Sequence, residues 1–148
     1  MLMPCRPRPH PADESGFTLL EILVIVIIVG ILAAIAIAVF ITQTEKAQDG
    51  TAKVQVRSAE TAAETYATDH NGEYKGLEPA KLKEIEPTLG DEGSAKLIKA
   101  EAKGGGFLVQ SEAIKTKNRY AIEHNAGGEV TRTCEKEKTG GCPQGGSW

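Results

Sequence analysis

The pattern of apolar and polar positions divides the chain into a short polar start, one long apolar run, an amphipathic stretch and a head of alternating segments. From Ile22 to Ile41 (ILVIVIIVGILAAIAIAVFI) every residue is apolar or Gly. A helix of about 20 such residues, at about 1.5 Å rise each, crosses a hydrocarbon core of roughly 30 Å. Lipid offers backbone groups no partners, so a spanning segment must be helical, and no Pro interrupts this one. Gly30 is a weak point that membrane helices commonly tolerate. Past the run, Ala52, Val56, Ala59, Ala63 and Tyr66 recur at steps of four and three, which is the spacing of one helix face. The helix is therefore expected to continue to about His70, where Asn71-Gly72 suits a left-handed cap. Gly50, about 1 kcal/mol less favourable in a helix than Ala, marks a place where it could bend or fray.

After Tyr74 the period changes. LEPAKLKEIEPTLG predicts a short helix begun by Pro79 and ended by Gly90, with Leu82, Ile85 and Leu89 toward the core. AKLIKAEA, GFLVQSEA, NRYAIEHN and GEVTRTC read as short strands, parted by turns at Gly104-Gly105-Gly106, Lys115 to Lys117 and Ala126-Gly127-Gly128. The fold class is α+β: a long N-terminal helix packed against a small antiparallel sheet of three or four strands. So small a sheet needs a second layer, and the amphipathic half of the helix supplies it. The domain plan is a leader at 1–16, a membrane helix at 17–41, an amphipathic extension at 42–70 and a globular head at 71–148. The terminal Trp148 is expected to plug the head rather than bind a ligand.

Composition narrows the function. The chain has 148 residues, 41% hydrophobic and 5% aromatic, so it has room for one domain with a small core once the apolar run is set aside. Its formal charge is −3 and its Lys and Arg residues are interspersed with Glu and Asp, so no basic stripe points to nucleic acid. His70 and His124 have no metal-ligand spacing, and no phosphate loop, nucleophile elbow or carboxylate motif appears. No enzyme, metal or cofactor is expected. Cys5 stands alone before the apolar run, whereas Cys134 and Cys142 enclose a short Gly-containing loop. That pair reads as a disulfide in an oxidising compartment, with free thiols as the alternative and half a zinc site as a poorer one.

The start of the apolar run departs from an ordinary anchor. A leader carrying Arg6 and Arg8 ends in Asp13-Glu14-Ser15-Gly16, a Gly-Phe junction follows, and Glu21 sits inside the apolar block. Arg6 and Arg8 favour a cytoplasmic leader, although Asp13 and Glu14 bring its formal charge to zero. A charged side chain at a membrane helix centre costs about 2.5–3.5 kcal/mol, less near the interface, so Glu21 calls for a partner or for an interfacial position where it snorkels to water. A secretory signal cut after Ala36 or Ala38 fits less well, because the run exceeds an h-region of about 7–15 residues and contains Glu21. A lipoprotein signal fails because no apolar run precedes Cys5.

Gly16-Phe17-Thr18-Leu19-Leu20-Glu21 and the Ile/Val/Leu/Ala run behind it resemble the class III signal of the type IV pilin and type II secretion pseudopilin superfamily. The likeness is strong over about residues 10–45 and an outline elsewhere. It implies that a membrane-embedded prepilin peptidase cuts between Gly16 and Phe17 and methylates the new Phe17 amine. It also implies that Thr18, Leu19, Leu20 and Glu21 serve assembly, Glu21 neutralising the Phe17 amine of a neighbouring subunit. The implied partners are the membrane, the peptidase, other copies and related pilins or pseudopilins, and, indirectly, an inner-membrane platform with its ATPase. The implied location is the cell membrane, crossed once with the N-terminus cytoplasmic, and then an extracytoplasmic filament. Unlike many pilins, this apolar run has no Pro, which leaves Gly30 as its sole point of local melting.

Overall fold

The computed structural model describes residues 16–148. The leader residues Cys5, Arg6, Arg8, Asp13, Glu14 and Ser15 lie outside the described residues. The chain forms two compact units, one up to Ala38 and one of Val39–Trp148.

Helix α1, Leu19–Asp69, passes through Gly30 and Gly50 without a break. In the first unit its apolar side chains are all exposed, from Leu19 through Ile37. In the second unit it buries Asp49, Ala52, Gln55, Val56, Ala59, Ala62, Ala63, Tyr66 and Ala67. All five residues of the apolar face read from the sequence are among them. Exposed threonines on the other faces turn their hydroxyls to the carbonyl one turn back, as Thr61 does to Arg57 and Thr65 to Thr61, which satisfies them without breaking the helix. The C-terminus closes at the expected place. Asn71 takes a left-handed φ of 56° and Gly72 N–H reaches back 2.7 Å to the Ala67 carbonyl, the wrapped ending that such residues permit.

The short helix expected to run to Gly90 is two pieces. Helix α2, Pro79–Ile85, stops at Glu86, and a separate 3-10 turn spans Pro87–Gly90. Pro87 removes a backbone donor and forces Glu86 extended, at φ −125° and ψ 91°. Leu82 and Leu89 are nevertheless fully buried and Ile85 packs against the core.

Four strands follow: β1 Ala95–Lys103, β2 Gly106–Ala113, β3 Arg119–His124 and β4 Val130–Cys134. They form an antiparallel meander in sequence order. Register places Leu97, Ser111 and Tyr120 in one row across β1–β3, and Ala100, Val109 and Ile122 in the next. A bulge between Leu97 and Lys99 shifts the alternation of β1 by one residue, so Leu97 and Ala100 both face inward. The buried row joins the buried face of α1 in one core that includes Phe107, Tyr120, Leu82 and Leu89. Gly106 at the β1–β2 turn is dictated by space, since a methyl there would overlap the His124 carbonyl.

Candidate functional site

The sequence-derived site lies at the start of α1. Thr18 is its cap: the Glu21 N–H is 3.1 Å from Thr18 Oγ1, and the Thr18 carbonyl accepts from the Glu21 and Ile22 N–H groups at 3.1 and 3.3 Å. This is the N-terminal half of a Thr-x-x-Glu capping pattern, which satisfies donors that a helix start leaves open. Glu21 in the first turn also faces the positive end of the helix dipole, so part of what favours a carboxylate here is local. Leu19 and Leu20 occupy the first turn and are 84% and 72% exposed. Together with Phe17 they begin a sleeve of uncovered apolar side chains, long and apolar enough to cross a membrane, none of it buried within the chain. Exposed apolar area of this extent requires lipid or other subunits to cover it. Gly16 is not required by the fold: its φ is not left-handed and an added Cβ would meet nothing within 4 Å.

The head holds the disulfide that the sequence suggested and, around it, a cluster on Asp49 that sequence reasoning did not single out. Cys134 and Cys142 form a disulfide, with Cα atoms 5.9 Å apart, and both are buried. The loop they close is anchored on Asp49, a fully buried carboxylate on α1. Asp49 Oδ2 accepts from Tyr120 OH at 2.7 Å, Gly141 N–H at 2.7 Å and Asn118 Nδ2 at 3.3 Å, and Oδ1 accepts from Thr116 Oγ1 at 2.5 Å. Lys53, one turn on, donates to the Gly141 carbonyl at 2.7 Å. A methyl at Gly140, whose φ is +58°, would overlap the Asp49 carboxylate, so the glycines of the loop admit this approach. Burial first, and then the hydrogen bond and charge of Asp49, push the Tyr120 phenol far above its ordinary range. Tyr120 therefore stays a hydrogen-bond donor at every physiological pH.

Trp148 closes the same region. Its indole N–H donates to the Thr133 carbonyl at 2.9 Å, its ring meets Tyr120 edge-on at 5.7 Å, and Lys53 and Arg57 lie over it. It is the packing plug that the sequence suggested. The signal for Asp49 was available, because it continues the 52, 56, 59, 63 spacing backward by three and so falls on the buried face. Its partners, 67 to 92 residues away in sequence, were not inferable from spacing.

His70 and His124 are far apart in role as well as in sequence. His70 stacks on Tyr66, while His124 Nε2 is 2.7 Å from Glu60 Oε1 and its ring stacks on Phe107. Among the described residues no cluster of His, Cys, Asp and Glu could hold a metal ion.

Comparison with known proteins agrees with this layout. The family described as the prokaryotic N-terminal methylation motif matches residues 12–37. A fimbrial protein of Pseudomonas aeruginosa is 28% identical over 123 residues, 72% of this chain and 80% of that protein. The type II secretion system core protein G of Aeromonas hydrophila is 38% identical over 58 residues, 39% of this chain and 41% of its own length. The core protein G of Escherichia coli is 27% identical over 103 residues, 65% of this chain and 71% of that protein. No solved structure matches the chain significantly. The chain thus carries the N-terminal methylation motif on a long exposed apolar helix ahead of a four-stranded head closed by a disulfide, and it is similar to a fimbrial protein over most of its length and to type II secretion core protein G over a shorter part.

Proposed function

We propose that this chain is a precursor of a type IV pilin, a structural subunit rather than an enzyme, which is cut between Gly16 and Phe17, methylated on Phe17 and assembled into a filament through α1. The observation that carries the reading is the methylation motif seated on an apolar helix whose side chains find no cover in the chain itself. Gly16 supports the cut. Among the described residues nothing lies within 4 Å of where a Cβ would stand, and the missing side chain leaves a peptidase room to approach the scissile bond.

Glu21 supports assembly. In a low-dielectric bundle its carboxylate and the Phe17 amine of a neighbour attract strongly and lower each other's burial cost. The leader stays cytoplasmic, the head becomes extracytoplasmic, where Cys134 and Cys142 oxidise, and the platform and ATPase act on the subunit from the cytoplasmic side. Residues 17–41 serve as the membrane and filament-core segment, 42–70 as its amphipathic extension and 71–148 as the extracytoplasmic globular head. The pseudopilin reading is the second one, favoured by the core protein G relatives; the C-terminal disulfide loop and the coverage of the fimbrial relative favour the pilin.

Intact mass and N-terminal sequencing of the membrane-bound chain, with and without a co-expressed prepilin peptidase, test the proposal. A mature chain beginning at N-methylated Phe17 is expected, and Gly16→Val should leave the precursor uncut. A chain cut after Ala36 or Ala38 would return it to the secreted domains.

A further inference from the structure

We propose that the anchor-proximal rim of the head is a docking surface for anionic phospholipid headgroups, built from Lys46, Lys115, Lys136 and Lys138. The inference rests on the membrane-anchored reading above and adds a role for the head while the subunit waits in the bilayer.

Position along α1 is the first argument. Ile41 ends the apolar run and Gln48 lies seven residues on, about 10 Å up the helix. Gln48 Oε1 accepts the Lys115 N–H at 3.0 Å, which fixes the β2–β3 turn at that level. Thr116 on the same turn bonds Asp49, and the Lys136 ammonium donates to the Thr116 carbonyl at 2.8 Å, so the turn after β4 sits beside it. Lys46, exposed and three residues before Asp49, is on the same helix face one turn nearer Ile41. The polar region of a bilayer reaches about 5–7 Å beyond the hydrocarbon on each side, and a lysine side chain spans the remaining gap.

Charge is the second. Among the described residues no ion pair involves Lys46, Lys115, Lys136 or Lys138, and all four are exposed. The acids nearby are committed elsewhere: Glu112 to Lys96, Lys117 and Arg119, Glu135 to Gln110 and Arg119, and Glu137 to the Gly145 N–H. Glu45 is the acid that remains. Lys138 takes a left-handed φ of 60°, which suits Gly or Asn better, so turn geometry does not account for the lysine there. The ammonium groups of Lys46, Lys115 and Lys138, with that of Lys136 held beside them on the Thr116 carbonyl, form a cationic row level with the headgroups that attracts an anionic membrane surface, and the head of a neighbouring subunit would have to bring its own uncommitted acids to compete.

The test uses the full chain in vesicles of phosphatidylcholine alone or with phosphatidylglycerol, labelled by a membrane-impermeant lysine-acylating reagent and read residue by residue by mass spectrometry. Flotation with both vesicle types reports the anchor independently of the rim. Labelling of Lys46, Lys115 and Lys138 is expected to fall about fivefold with phosphatidylglycerol and to recover at about 0.5 M salt. Lys75, whose carbonyl is held by Tyr66 about 25 Å farther along α1, should not change. Equal labelling in the two vesicle types would overturn the docking while leaving the anchor standing. Protection that grows with protein density in both would assign the rim to a second copy and overturn it too. Failure to float with either would remove anchor and docking together.

Discussion

Replacing Asp49 by Ala tests whether the buried carboxylate is what holds the disulfide loop on the helix. The substitution strands Tyr120 OH and the Gly141 N–H, the former fully buried and the latter partly so. Thr116 is only partly buried and can turn to water, and Asn118 keeps the Thr139 carbonyl at 3.2 Å, so these two donors add little. Two stranded donors at about 1–3 kcal/mol each give a loss of roughly 2–6 kcal/mol. The better helix propensity of Ala returns about 0.5 kcal/mol. A net loss of about 3–4 kcal/mol is a large part of the 5–15 kcal/mol that holds an ordinary domain, and corresponds to a fall in Tm of roughly 12–20 °C. Trp148, the chain's one tryptophan, packs against Tyr120, so its fluorescence during a thermal melt of the full chain in detergent reports the head and not the membrane helix. Asp49→Asn keeps one carbonyl oxygen in place and should lose about 1–2 kcal/mol. Tyr120→Phe combined with Asp49→Ala should cost much less than the sum of the two, because they remove the same bond. A fall of less than about 3 °C for Asp49→Ala, or full additivity, would refute the account.

Other residues give sharper single outcomes. Glu21→Ala is expected to leave cleavage at Phe17 intact but reduce filaments, since its partner amine exists only between subunits; wild-type filament yield in electron micrographs would count against the pairing. Burial pushes the Glu112 carboxyl up, but the Arg119 hydrogen bond and the charges of Lys117 and Lys96 outweigh it and hold the carboxyl below its usual 4.5. Its stabilisation is therefore present above that value and disappears as pH falls through the lower folded one, so Glu112→Gln should flatten the acid limb of the head's stability curve. Raised above its ordinary value of about 10, the Tyr120 phenol has the opposite sign. The unfolded chain releases this proton first, so stability declines as pH rises past about 10, less steeply in Tyr120→Phe. Cys142→Ser opens a loop of sequence separation 8 and should cost about 2–3 kcal/mol, read from the same fluorescence melt.

What could be read from the sequence was what repeats locally. The apolar face of α1, its Asn71-Gly72 ending and the four strands all follow from spacing within a dozen residues, and each stands within two residues of where the pattern put it. The break at Pro87 is also a local fact, but the Leu82, Ile85, Leu89 spacing runs straight across it and masks the extended Glu86. What could not be read was pairing across the chain. The buried face of α1 is mostly small, with Ala52, Ala59, Ala62 and Ala63, and a face of alanines packs almost equally well a turn higher or lower. Three polar residues break that degeneracy. Asp49 takes Tyr120, Asn118 and Gly141; Gln55 Oε1 takes the Ser111 hydroxyl of β2; Glu60 Oε1 meets His124 at the far end of β3. Their partners lie 56 to 92 residues later, so no window along the chain reveals them. A slip of one turn would leave each of these buried or half-buried groups unpaired, at a cost that no gain in alanine packing offsets. The alanines leave the sheet free to sit at more than one level on the helix, and the three polar residues decide where along it the sheet stops.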